Sequence, residues 1–185
     1  MSNEKKEKLL TPVGFVKFPK TTINDKEYAT LKVPTGIKEE DKCSFKFQVV
    51  FDPKTPEAQA LLKELDDEHA KIKGANFKPY KKDMEKSEDG TLRESGMVAI
   101  NFTSSYAPKM IDSALKECNV EIGWGSKVRV KFVAKPVNNK GKVGLGRYTS
   151  IIQVIEPKSG GVDTSGFEST QGGFVAEQQA VDWSE

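Results

Sequence analysis

Seven Lys and Arg residues, with no Asp or Glu among them, lie between Lys127 and Arg147 in the stretch GSKVRVKFVAKPVNNKGKVGLGRYTSIIQVIE, residues 125–156. Cations spaced along an extended segment form a positive stripe long enough to follow a phosphate backbone. In Lys127 to Phe132 the residues alternate, so Val128, Val130 and Phe132 share one face and Lys127, Arg129 and Lys131 share the other. Aromatic residues stand beside cations at several places: Phe77, Lys78 and Tyr80 in NFKPYKK, Tyr106 near Lys109, and Tyr148 next to Arg147. Lys46 adds an outward cation from the segment 42–51. Aromatic rings can stack on any base, and cations can neutralise any phosphate. An isolated amphipathic hairpin is ordinarily a solvated surface, but soluble surfaces mix their signs and this stretch does not.

Covalent chemistry has little to work with. GKVGLG at 141–146 has the look of a phosphate loop, yet it lacks the Gly-Lys-Ser/Thr ending and the following helix, so it reads as a hairpin loop. No GxSxG, HExxH or paired-cysteine motif is present. Asp66, Asp67 and Glu68 are consecutive on a helix and point in different directions, which is a poor Mg²⁺ site. The single histidine, His69, has no second histidine or suitable cysteine to join it and reads as a surface residue. The expectation is a binding protein without enzymatic activity, metal or cofactor.

The elements that must hold these residues are mostly strands. Thr11 to Pro19 reads as a first strand, with Gly14 marking a bulge or bend. Residues 21–41, TTINDKEYATLKVPTGIKEED, read as a loop. Lys42 to Phe51 alternates, with Cys43, Phe45, Phe47, Val49 and Phe51 on one side. Thr55-Pro56-Glu57 supplies a cap, a first-turn proline and an acid, Gly74 supplies a stop, and a helix is expected over 56–73. Residues 76–96 read as an exposed, mobile excursion whose Phe77 and Tyr80 could stack on bases, and Met97 to Thr103 reads as a strand. Met110, Ile111, Ala114, Leu115 and Cys118 fall at helical spacing after Pro108, which predicts a short second helix, with an extended start through Pro108 as the alternative. Four or five strands, one or two helices and no βαβ alternation define a mainly β (α+β) chain. The best fit is a five-stranded OB-type barrel with a helix between strands, a fold that pairs a positive groove with aromatic platforms.

The chain of 185 residues is 36% hydrophobic and 30% charged, suited to one soluble domain plus a tail. Its net charge of +2 hides a division. All 29 Lys and Arg lie at or before Lys158, whereas five acids follow it, so residues 1–158 carry +7 and residues 159–185 carry −5. The expected organisation is a charged arm over 1–10, a binding domain over 11–158 and an acidic, disordered tail over 159–185. The tail is rich in Gly, Ser and Gln, lacks Lys and Arg, and cannot repay its ordering entropy by burial. Its acids can compete for a cationic groove, and Phe167, Phe174 and Trp183 can anchor in a partner's apolar pocket. Cys43 and Cys118 lack metal-ligand spacing and read as reduced core residues, and no apolar run is long enough to span a membrane.

Residues 79–112, PYKKDMEKSEDGTLRESGMVAINFTSSYAPKMID, followed by the hairpin at 125–156 and an acidic tail ending VDWSE, resemble the bacteriophage single-stranded DNA-binding proteins. The relevant group is typified by the replication proteins of short-tailed phages, and the resemblance covers most of residues 11–185. It implies an OB barrel that coats transient single strands during phage DNA replication, recombination and repair and works in the cytoplasm of the infected bacterium, and it admits weak duplex binding. It also implies that the tail, through Phe174, Asp182, Trp183 and Glu185, recruits DNA polymerase and helicase-primase, and it admits a homodimer. The best-known members end on an aromatic residue, whereas here Trp183 is followed by Ser184 and Glu185. Two rival readings remain: a phage assembly or adaptor protein whose basic stripe meets an acidic partner, and an RNA-binding OB protein.

Overall fold

A computed structural model describes residues 8–38 and 40–158. Five long strands close on themselves: β2 (Gly14–Ile23), β4 (Cys43–Phe51), β6 (Leu92–Ser104), β9 (Lys127–Asn139) and β10 (Lys142–Glu156). β2 pairs antiparallel with β4, and β4 with β6. β6 then meets β10 in parallel at Thr103 and Tyr148, β10 runs antiparallel to β9, and β9 returns to β2 at Val128 and Gly14. In order of these five strands the ring runs first, second, third, fifth, fourth and back to the first. This is the five-stranded Greek-key barrel of the OB fold.

The barrel closes around the residues whose alternation foretold it. Phe45, Phe47, Val49 and Phe51 of β4 point inward, as do Val128, Val130 and Phe132 of β9, and all are buried. Phe102 of β6 stands between the two sets, 5.3 Å from Phe47 and 4.9 Å edge-on from Phe132. Gly14 is not a bulge: a Cβ there would lie 2.5 Å from the Val50 carbonyl oxygen, so the residue permits β2 and β4 to approach. The bulge falls at Phe18 and Pro19, between the Lys17–Gln48 and Lys20–Lys46 pairs, with Phe18 at φ 50°. There the missing proline N–H costs no ladder hydrogen bond, and β2 continues to Ile23 through residues whose composition suggested a loop. Asn24 and Asp25, both at positive φ, turn it into β3 (Lys26–Tyr28).

Helix α1 (Pro56–Ala70) starts where its sequence signals place it and ends three residues short of the expected 73, with Lys71 rather than Gly74 at its C-terminal cap. The Thr55 side chain accepts the Ala58 amide, Pro56 opens the first turn, and Ala58, Leu61 and Leu65 are buried. Leu9 and Leu10 form β1 against Phe132 and Lys131, so the last residues of the charged arm join the sheet.

Two further expectations are corrected. The excursion after α1 is a hairpin of β5 (Lys81–Lys86) with β6. Its periodicity was invisible because the one buried position of β5 is an acid: Asp83 takes the Lys17 ammonium at 2.8 Å and the Ser95 hydroxyl at 2.8 Å. A charge partner 66 residues away leaves no hydrophobic pattern to read. The second helix is absent. Residues 108–118 instead form β7 (Lys109–Ile111) and β8 (Glu117–Cys118). Asp112 Oδ1 accepts the amides of Ala114 and Lys116, holding a turn in which Leu115 adopts φ 67° and is 70% exposed. The apolar spacing arose from Met110 facing Cys118 across that turn, and a side-chain-bonded aspartate competes with helix.

Candidate nucleic-acid interface

The outer face of β4 and β6 and the projecting end of the β9–β10 hairpin enclose an open cleft of about 510 Å³. Its cations are Lys20, Lys46, Lys142 and Arg147; its accessible rings are Phe18, Phe77 and Tyr148, beside the buried Phe47 and Phe102; Gln48, Asn101, Thr103 and Asn139 supply neutral polar groups. No carboxylate lines it. The hairpin reaches over the cleft because β9 and β10 run on past the barrel to a two-residue turn, Lys140-Gly141, with both residues at positive φ.

Phe77 is placed from both sides. The Asn76 amide donates to Val143 O at 2.8 Å, and the Asn76 side chain bonds Gly141 O at 2.6 Å and the Val143 amide at 2.9 Å. His69 Nε2 meets Phe77 O at 2.9 Å, which ties the segment to α1 and gives the single histidine a positioning part. The ring lies over Gly144, where a Cβ would come within 2.6 Å of it. Across the hairpin Lys135 Nζ sits 4.7 Å from the centre of the Tyr148 ring.

Arg147 is held by carbonyls rather than acids. Its Nε donates to Asn101 O at 2.9 Å and its Nη1 to Leu145 O at 3.0 Å and Lys78 O at 3.3 Å. The guanidinium carbon lies 5.8 Å from the Phe77 ring centre. Burial draws its pKa below the ordinary guanidinium value, while the group remains charged at neutral pH. A cation fixed by dipoles keeps its full charge available to an anion in the cleft.

Four of the sequence-derived candidates therefore meet: Lys46, Phe77, Arg147 and Tyr148. The others lie elsewhere. Arg129 donates to Thr11 O and approaches Glu57 at 3.6 Å, in a separate depression that also holds Glu64; Lys127 pairs with Glu156 at 3.4 Å. Lys131 is exposed beside Leu10, outside the cleft. The Tyr80 hydroxyl donates to Asp66 at 2.9 Å; burial first, and then that carboxylate, raise its pKa. Lys78 is exposed and contributes its carbonyl to Arg147. Tyr106 is 84% exposed in the β6–β7 connection, and Lys109 pairs with Glu117 at 2.5 Å. The tail candidates, Phe167, Phe174, Asp182, Trp183 and Glu185, lie outside the described residues. Reading by segment missed Phe18, Lys20 and Lys142, although KFPK at 17–20 and NNKGK at 138–142 held the signal of cations around a bend.

This placement separates two groups of cations in solution. Lys46→Ala and Lys142→Ala are each expected to lower the slope of log affinity against log salt by about 0.7 for a single strand, while Arg129→Ala leaves it unchanged. Titrations at three salt concentrations measure it, and an equal drop for Arg129→Ala would move the binding track to the other side of the barrel.

Fold and cleft together define an OB barrel with a cationic, ring-lined groove on the face where such barrels take single strands. Among solved structures the chain is similar to gp2.5, a single-stranded DNA-binding protein encoded by bacteriophage T7, with a TM-score of 0.60 at 16% identity over 92% of this chain and 98% of that one. It is also similar to the single-stranded DNA-binding protein from bacteriophage Enc34, as a C-terminal truncation (TM-score 0.58, 13% identity, 86% of this chain and 90% of that one). The same protein in complex with single-stranded DNA matches with a TM-score of 0.54 at 13% identity over 85% of this chain and 91% of that one. At these identities the likeness is one of fold. No family model matches the chain, and no curated protein matches it in sequence. Among the described residues no helix is long and apolar enough to cross a membrane, and no group of three or more His, Cys, Asp or Glu could hold a metal ion.

Proposed function

We propose that this chain binds single-stranded DNA without sequence preference, in the cleft between β4, β6 and the β9–β10 hairpin. The observation that carries this reading is a groove with four cations, exposed ring surface and no carboxylate, on the strands that OB barrels use for single strands. Neutral side chains around it can accept any base edge, and sequence-tolerant stacking needs no fixed donor pattern. The structural neighbours, which bind single-stranded DNA, support the same choice of ligand.

The wider role belongs to this proposal: coating single strands during phage DNA replication, recombination and repair in the infected host, with the acidic residues 159–185 competing for the cleft and recruiting replication proteins. A segment of net charge −5 tethered to a domain of +7 acts as a ligand at high effective concentration. The test is a titration of the full chain and of a truncation after Lys158 against a labelled single strand, duplex DNA and RNA, at low and high salt. The single DNA strand is expected to bind most tightly, and truncation to tighten binding chiefly at low salt, where screening is weakest. Preference for RNA or duplex would overturn the choice of ligand. Unchanged low-salt affinity on truncation would remove the tail from the competition.

A further inference from the structure

Phe18 pays for its position in backbone strain. It adopts φ 50°, a left-handed conformation rare for a bulky aromatic residue, at the bulge where β2 loses register with β4. Its ring is 60% exposed, so core packing does not explain the choice of residue. The bulge aims it at Trp124, which is 44% exposed, with ring centres 4.6 Å apart and planes at 77°. Trp124 is fixed in turn: the amide of its neighbour Gly125 donates to Val16 O at 2.8 Å, and that of Gly123 to Lys158 O at 2.5 Å. The edge-on contact uses only part of each ring, and the remaining surface faces solvent.

The location matters more than the pair alone. Phe18 and Lys20 line the principal cleft and also an adjoining hollow formed with Tyr28 and Trp124. Lys20 has one acidic partner, Glu27 at 2.7 Å, with both side chains largely solvated, and such a pair yields readily to a competing anion. A cation and two held rings thus continue the cleft across the bulge of β2.

We propose that Phe18 and Trp124 form a second stacking platform, where a strand leaving the principal cleft lays one further base on the paired rings and a phosphate on Lys20. This inference rests on the single-stranded reading above. It divides the binding surface in two, and oligonucleotide length distinguishes the parts: a strand of about four nucleotides occupies the principal cleft, and one of about twelve reaches the platform.

The experiment uses the full chain carrying Trp183→Phe, which leaves Trp124 as the sole tryptophan, with oligothymidylates of about four and about twelve nucleotides. The longer strand is expected to quench Trp124 emission and the shorter to leave it nearly unchanged. Phe18→Gly, which relieves the left-handed backbone while deleting the ring, should keep the parent thermal midpoint or raise it. By anisotropy of labelled strands, Trp124→Leu should lower affinity for the longer strand roughly 5- to 150-fold and for the shorter less than about twofold, whereas Phe18→Gly, which also removes a ring of the principal cleft, should weaken both strands and the longer one more. If both variants bind the longer strand as the parent does and Trp124 emission stays flat, the platform is overturned while the principal cleft stands. If neither length binds the parent protein, both readings fall.

Discussion

Replacing Phe77 and Tyr148 together by alanine is expected to lower affinity for a single strand by about 2–6 kcal/mol, the loss of two stacked bases. These two rings line the cleft from the β9–β10 hairpin and from the segment pinned to it by Asn76. Their positions are set before any ligand arrives, so little ordering cost offsets the stacking. The single variants should divide the loss, with coupling if both rings contact one base. Tyr148→Phe should bind nearly as the parent does, because the stacking surface and the nearby Lys135 remain. The Phe77 variant must be judged with a stability measurement beside the affinity, since its ring also covers Gly144. A double variant that folds and binds within threefold of the parent would falsify the stacking role of this cleft.

The barrel was legible in the sequence wherever the pattern was local. Alternation in Lys42–Phe51 and in Lys127–Phe132 named the inward residues, and the Thr55-Pro56-Glu57 signal named the helix start. Patterns built from distant partners were hidden. Asp83 in β5 is buried because Lys17 and Ser95 satisfy it, and no periodicity of its own segment could announce that. The helix expected after Pro108 failed for a related reason: Met110 and Cys118 have helical spacing and also face each other across a hairpin, and Asp112 decides between them by bonding the turn.

The cleft shows the same division. Charge density along residues 127–147 singled out the hairpin that reaches over the cleft but not which of its ends does so, because density ignores where neighbouring acids fall. Glu57 and Glu156 come from other elements and take up Arg129 and Lys127, whereas the projecting end holding Lys142 and Arg147 meets no acid in the cleft. Phe18 required still more: the knowledge that β2 runs on beyond Pro19 and bulges, which only the pairing with β4 reveals.

Arg147 joins the stability of the hairpin to the charge of the cleft, and its replacement should therefore damage both. Its guanidinium serves three carbonyls: Asn101 on β6, Lys78 in the segment bearing Phe77, and Leu145 on its own strand. Hydrogen bonds to charged groups contribute about 1.5–3 kcal/mol each, but water can reach some of these carbonyls once the side chain is gone. A net loss of roughly 2–3 kcal/mol in folding stability is expected for Arg147→Met. Its affinity for a single strand should fall at least about tenfold, with a salt slope lower by about 0.7, through the lost phosphate contact and a displaced Phe77. Arg147→Lys separates the two effects. Lysine keeps the charge but cannot reach three divergent acceptors with a planar fork, so the salt slope should return while most of the stability and affinity losses remain. Denaturant unfolding and binding titrations on the same protein samples measure both. If Arg147→Lys matches the parent in stability and affinity, the residue acts as a point charge, and the carbonyl scaffold is not what shapes the cleft.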